Sequence, residues 1–187
     1  DVIPHQIVRT ADDRVYVFTS QQYSPALRAY WTTTPGLPTA TTTFASTSVS
    51  EPGLPISAEA AYDGVRFIHI LVNLNTGQLK DYVFDTTTNA FRSPLSLAGG
   101  NPTVVGDYIG TSGVSALFDR GGRLQVAYWA LNNHIVQQGF AYDSNAHALT
   151  AATPSTQVDA LGGANHPALA ISPVDDSLTV AWVSEAV

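Results

Sequence analysis

Four stretches of the chain share one pattern: a short apolar run, a turn rich in Asp or Gly, and a second run in which apolar and aromatic residues alternate. They occupy residues 6–18, 58–70, 114–129 and 168–182, and each reads as a β-hairpin. With Asp13, Gly64, Gly122 and Asp176 as equivalent points, the intervals are 51, 58 and 54 residues. A second apolar-aromatic run follows at a steady offset, with Tyr30, Tyr82 and Phe140 lying 17, 18 and 18 residues beyond their reference points. A repeat of this kind constrains the fold strongly, because one supersecondary unit cannot bury its apolar face alone and must stack on its neighbours.

Two of the second runs continue into Asp85-Thr-Thr-Thr-Asn-Ala-Phe91 and Asp143-Ser-Asn-Ala-His-Ala-Leu149, where an Asp opens a turn and an apolar residue restarts a strand. In the first unit the matching stretch, Thr32 to Phe44, is longer and carries Pro35-Gly36-Leu37-Pro38, an insertion in the same turn. Each unit therefore predicts four antiparallel strands, with no 3.6-residue period and no segment long enough for a crossover helix. The pattern resembles the β-propeller repeat superfamily, whose blades have four strands in about 40 to 50 residues. Tyr82-Val-Phe-Asp85 with Asn89-Ala-Phe91 is similar to the outer hairpin of kelch-type blades. Ser172-Pro-Val-Asp-Asp-Ser-Leu-Thr-Val-Ala-Trp182 resembles the Asp-box of sialidase-like propellers, with one extra residue between Ser and Asp.

The expected fold is thus all-β, a propeller-like array of four-stranded antiparallel blades, with a β-sandwich as the alternative. The units fall at residues 1–55, 56–109, 110–165 and 166–187, the last incomplete, giving about three and a half blades in a single segment. A ring of blades needs whole units, so the expectation is a piece of a longer propeller, or a chain completed by another chain. The absence of an initiator Met agrees with that expectation.

Composition removes several function classes. With 15 acidic and 8 basic residues the net charge is −7, the wrong sign for gripping a phosphate backbone, so nucleic acid is not an expected partner. The chain has no cysteine, which excludes disulfides, thiolate nucleophiles and Cys-ligated metals. No apolar run approaches the roughly 20 residues of a membrane-spanning helix. Charged residues make up 12% of the chain and Lys80 is its one lysine. Such charge-poor, Thr-rich surfaces accompany exported or cell-surface β-proteins, so a secreted or surface, bacterial-type protein is expected.

Candidate site residues follow from strand order. If strands run from the inside of each unit outward, the Asp-rich turns share one face with the turns at Asp85 and Asp143. The remaining loops share the opposite face, where propeller ligand sites generally lie. That face is expected to carry Gln22, Tyr23, Asn73, Asn75, Asn101, Tyr108, Asn132, Asn133, His134 and His166 as ligand-binding candidates. Amides that both donate and accept, with aromatic rings beside them, suit hydroxyl-rich ligands. No catalytic residue, metal site or cofactor is assigned: the five histidines are dispersed, and Asp63, Asp85 and Asp143 have a sufficient role as turn formers. The expected function is a non-catalytic binding module presenting a loop face to a protein or glycan. Part of a propeller glycoside hydrolase, with Glu51, Glu59, Asp107 and Asp159 as available carboxylates, and a structural subunit of a larger assembly are the alternatives.

Overall fold

The computed structural model describes residues 2–21, 24–50, 55–92, 103–107, 113–130, 134–159 and 164–184. Every regular element among them is a β-strand. The first sheet holds β1 (Val2–Arg9), β2 (Val15–Gln21), β3 (Ala26–Thr32) and β4 (Phe44–Ser50) in chain order. The second runs β5 (Pro55–Tyr62), β6 (Phe67–Leu74), β7 (Gln78–Asp85) and β8 (Ala90–Phe91), with β9 (Thr103–Asp107) also paired to β7. The third runs β10 (Val114–Phe118), β11 (Leu124–Trp129), β12 (Ile135–Asp143) and β13 (Ala148–Ala151), with β14 (Thr156–Gln157) paired to β12. β15 (Ala164–Ile171) and β16 (Leu178–Ser184) form a separate hairpin. All pairings are antiparallel, and apart from β9 and β14 the strands of each sheet follow one another as a meander, so their turns alternate between the two ends of each sheet.

The repeat has a physical cause in its turns. Asp13, Gly64, Gly122 and Asp176, the equivalent points of the sequence pattern, all adopt left-handed backbone, with φ of 64°, 82°, 75° and 60°. A hairpin reversal needs such a residue, and Gly or Asp supplies it at least steric cost. The turns between the third and fourth strands repeat the device four residues beyond an Asp, at Asn89 (φ 51°) and His147 (φ 52°). The insertion in the first unit docks back on its own sheet, with the Gly36 amide donating to the Asp13 carbonyl at 2.9 Å. β4 then pairs with β3 along its whole length, from Thr32 opposite Phe44 to Ala26 opposite Ser50.

The sheets stack face to face in chain order, and β6 shows this most directly. All eight of its residues are buried. Ile68, Ile70, Val72 and Leu74 pack with Tyr16, Phe18 and Leu27 of the first sheet, while Leu71 on the other face joins Val126, Phe140 and Leu149 of the third. Ala127 and Ile135 of the third sheet in turn meet Leu169 and Val180 of the hairpin. A two-sheet sandwich buries one face of each sheet. Here the four small sheets bury both faces of the second and third, and the sandwich alternative is set aside. Phe84 anchors the first interface, meeting Tyr16, Phe18 and Phe91 edge-on at ring centroid distances of 5.6, 5.8 and 5.3 Å. β1 lies beside β5, β5 beside β10, and β10 beside β15, so the first strands of the sheets form a continuous row.

Three of these first strands are interrupted where the sequence places proline. The register shifts between Pro4 and Gln6 in β1, between Pro55 and Ser57 in β5, and between Asn165 and Ala168 in β15, around Pro167. Proline has no amide to give the ladder, so each strand bulges there rather than leave a gap in regular pairing.

Candidate functional site

The pairing registers place the Asp-rich turns and the turns opened by Asp85 and Asp143 at one end of the sheets. The β6–β7 and β11–β12 turns lie at the other, close to the proline bulges. Four of the residues expected to bind ligand are described, and all belong to this second end. Asn75 is exposed in the β6–β7 turn, which closes through the Gly77 amide on the Leu74 carbonyl at 3.0 Å. Asn73, two residues earlier on β6, is fully buried on the face toward the third sheet. Gln22, Tyr23, Asn101, Tyr108, Asn132 and Asn133 lie outside the described residues.

His134 is held in place. Its Nδ1 lies 3.0 Å from Asp159 Oδ2, while Asp159 Oδ1 accepts the Ile135 amide at 2.6 Å. Asp159 is 5% exposed and its backbone carbonyl accepts Gln157 Nε2 at 2.9 Å, so the carboxylate ties the start of β12 to the segment after β14. One of the carboxylates expected to be free for chemistry therefore has a structural task. His166 is exposed, has φ 49°, and its ring lies beside Gly113 at the start of β10. The bulge at Pro167 produces this: two residues of β15 stand opposite one of β16, which turns His166 out of the ladder.

The opposite end is a lattice of Asp–Arg contacts. Asp63 Oδ1 accepts the backbone amides of Val65, Arg66 and Phe67 at 2.9, 2.7 and 2.9 Å. Arg66 then grips Asp85 bidentately, Nε to Oδ1 at 2.9 Å and Nη2 to Oδ2 at 2.7 Å, and Arg92 reaches the same carboxylate. Both guanidinium groups lie over the ring of Phe67, at 4.9 and 5.4 Å. Burial pushes the Asp85 carboxyl up. The Arg66 bonds, the Thr87 amide and the Arg92 charge outweigh it and hold the group below the usual carboxylate range. Asp119 repeats the arrangement in the third sheet: burial raises it, and the Arg123 amide, Gln125 and the Arg123 guanidinium bring it below its ordinary value. Asp143 Oδ1 accepts the amides of Asn145 and Ala146 at 2.8 and 3.1 Å. At the β15–β16 turn, bonds from Ser172 and Ser177 lower the exposed Asp175 carboxyl to about 2.

These contacts decide what the arginines do. Arg9 pairs with Asp13, Arg14 with Asp12, Arg66 and Arg92 with Asp85, and Arg123 with Asp119. They brace turns along the sheet ends instead of converging on one open pocket, and no group of three or more metal-ligating side chains forms among the described residues. One carboxylate stands apart. Glu59 is half-buried on β5, bonded by Gln6 Nε2 of β1 at 2.6 Å, and burial raises its carboxyl above the ordinary range.

Sequence reasoning missed a polar pair in the interior. His69 Nδ1 lies 2.8 Å from Asp81 Oδ2, both fully buried between the second and third sheets. The imidazole meets the rings of Tyr142 and Phe118 edge-on, at 4.5 and 5.3 Å. Burial, and next the Asp81 charge, drives the Tyr142 hydroxyl well above its usual range, and that hydroxyl lies 3.2 Å from His147 Nδ1.

No protein-family profile matches the chain, and no curated protein does. Among solved structures it is similar to the NanB sialidase of Streptococcus pneumoniae in complex with 2-[(3-chlorobenzyl)ammonio]ethanesulfonate, with TM-score 0.68 at 12% identity. NanB with Optactamide (TM-score 0.67, 14% identity) and a single-site mutant of NanB (0.69, 14%) match in the same way. In all three the match covers 97% of this chain and 27% of the other. The chain has the β fold of that region of the sialidase, and spans about a quarter of its length.

Proposed function

We propose that this chain is a segment of a sialidase-like β-propeller, about three and a half blades long, that binds glycan through the end carrying Asn75, His134 and His166. The observation that carries the reading is the fold likeness to NanB sialidase over 97% of the chain. In this reading the blades fall at residues 1–55, 56–109, 110–165 and 166–187, and the row of first strands and the stacking of sheets support a repeat of blades. The site is non-catalytic in this reading: the Asp–Arg contacts lie at the opposite end of the sheets from Asn75, His134 and His166. A sialidase-like glycan module belongs outside the cell or on its surface.

The test is a titration of isotope-labelled chain with 3′-sialyllactose and with lactose, followed by amide chemical shifts. Saturable shifts at Asn75, His134 and His166 are expected, and a chain whose spectrum does not move with either sugar refutes the reading.

A second reading, part of a propeller glycoside hydrolase, has Glu59 in its favour. A half-buried carboxyl with a raised pKa beside the row of first strands has the character of a general acid. Release of the fluorophore from a 4-methylumbelliferyl sialoside, abolished by Glu59→Gln, would establish it. Its absence with the unaltered chain leaves the binding reading in place.

A further inference from the structure

Between the third sheet and the β15–β16 hairpin, at the end carrying the aspartate turns, a cleft of about 280 Å³ opens. One wall is a chain of amides with a fixed direction. Gln125, 6% exposed, donates Nε2 to Asp119 Oδ2 at 2.8 Å and accepts Gln137 Nε2 on Oε1 at 2.7 Å. A carboxylate can only accept, so Asp119 forces Gln125 to present its amide hydrogens to it. Gln125 Oε1 is thereby turned to Gln137, Gln137 must donate, and its own carbonyl is left as an acceptor for something other than Gln125. Arg123 uses Nε on Asp119 Oδ2 at 2.8 Å, lines the cleft, and keeps its side chain 49% exposed.

The back of the wall is bare backbone. A Cβ on Gly139 would stand 3.0 Å from Gln125 Oε1 and 3.1 Å from Thr153 Oγ1, while the Gly139 amide donates to that same hydroxyl at 2.8 Å. Glycine is what lets the amide chain lie flat. The facing wall is apolar, formed by Ile171 and Leu178 of the hairpin with Pro154 at its edge.

We propose that this cleft is a subsite for one uncharged saccharide ring. Its volume of about 280 Å³ lies just below the roughly 300 Å³ at which drug-sized small-molecule sites begin, and so fits a single ring better than an extended chain. A pyranose has hydroxyls that donate and accept around its edge and a C–H face that is apolar. The oriented Gln137 carbonyl and the Arg123 donors address the edge, and Ile171 and Leu178 cover the face. Asp119 and Asp176 at the cleft disfavour an anionic sugar. The site lies at the opposite end of the sheets from the glycan face proposed above, and the two stand or fall separately.

The experiment is a titration of the labelled chain with methyl β-galactoside, lactose and 3′-sialyllactose. Saturable shifts of the Gln125 and Gln137 side-chain amides and of the Ile171 and Leu178 backbone are expected with the two neutral sugars, and weaker ones with the sialylated sugar. Gln137→Leu should weaken the neutral sugars about tenfold, the loss of one oriented hydrogen bond. Thr156→Val, at an exposed cleft position, should weaken them less and serves if Gln137→Leu does not fold. The proposal is overturned if no sugar gives saturable shifts in the cleft, if both folded variants bind as the parent does, or if shifts appear at Asn75, His134 and His166 alone. That last result would support the other face while refuting this one.

Discussion

His69 and Asp81 are diagonal neighbours on adjacent strands: His69 stands opposite Val83 and Asp81 opposite Leu71, yet Nδ1 and Oδ2 approach to 2.8 Å with both side chains buried. His69 Nε2 and Asp81 Oδ1 have no hydrogen-bond partner among the described residues. Each group is thus committed to the other. Removing one partner from a buried polar pair leaves the other unsatisfied, at a cost of about 1–3 kcal/mol, whereas replacing both by apolar groups is near neutral. Asp81→Leu should therefore destabilise strongly in urea unfolding, and His69→Leu/Asp81→Leu should recover most of the loss. Additive losses in the double variant would show that the two residues act independently.

Asp85 should give acid sensitivity. Its folded pKa is depressed, so its stabilisation is complete above the unfolded carboxylate value of about 3.9 and disappears as pH falls through the lower folded value. The unaltered chain should lose urea midpoint as pH falls below about 4. Asp85→Asn, already weakened at neutral pH, should lose less over that interval. Equal slopes for the two proteins would assign the acid sensitivity elsewhere.

The left-handed turn residues predict asymmetric substitutions. Gly122→Ala meets no atom within 4 Å but must adopt φ 75°, which costs an L-residue about 1–2 kcal/mol. Asp176→Gly, at φ 60° in the equivalent turn, should change stability by less than about 1 kcal/mol. Thermal midpoints of the two variants compare them directly.

β16 pairs with β15 on one side and with no other strand among the described residues, and Val183 and Trp182 on it are 56% and 39% exposed. An edge of this kind templates further pairing. The chain should self-associate with rising concentration in light-scattering chromatography, and Val183→Lys should shift it toward monomer. A concentration-independent monomer in both would remove the edge as the cause.

What the sequence made legible was local. The period worked because each reference point is the residue that turns the chain, and turn chemistry is written in one or two residues such as Gly64 and Asp13. The strand of β6 was equally plain, since a largely apolar run flanked by turns has few other uses. The Arg66–Asp85 clamp was hidden because its partners are separated by 19 residues and meet only through strand register. The bond of His69 to Asp81 follows from diagonal placement, which alternation of apolar and polar residues does not specify. The bulges could have been anticipated: Pro4, Pro55 and Pro167 each sit in a first strand that otherwise reads as regular. As for the candidate ligand face, the sheet ends were legible from strand order, whereas the fixing of His134 by Asp159 depends on a segment 25 residues away.

The double-sided burial of β6 sets how the molecule comes apart. Sheets that touch only their neighbours behave as a linear series in which stability is a sum of unit and interface contributions. Among the described residues the second and third sheets are each clamped by two interfaces, while the first sheet and the β15–β16 hairpin are each held by one. Opening from either end of the series breaks a single interface and leaves the rest standing, so loosening is graded inward and β6, buried on both faces, is among the last strands to let go.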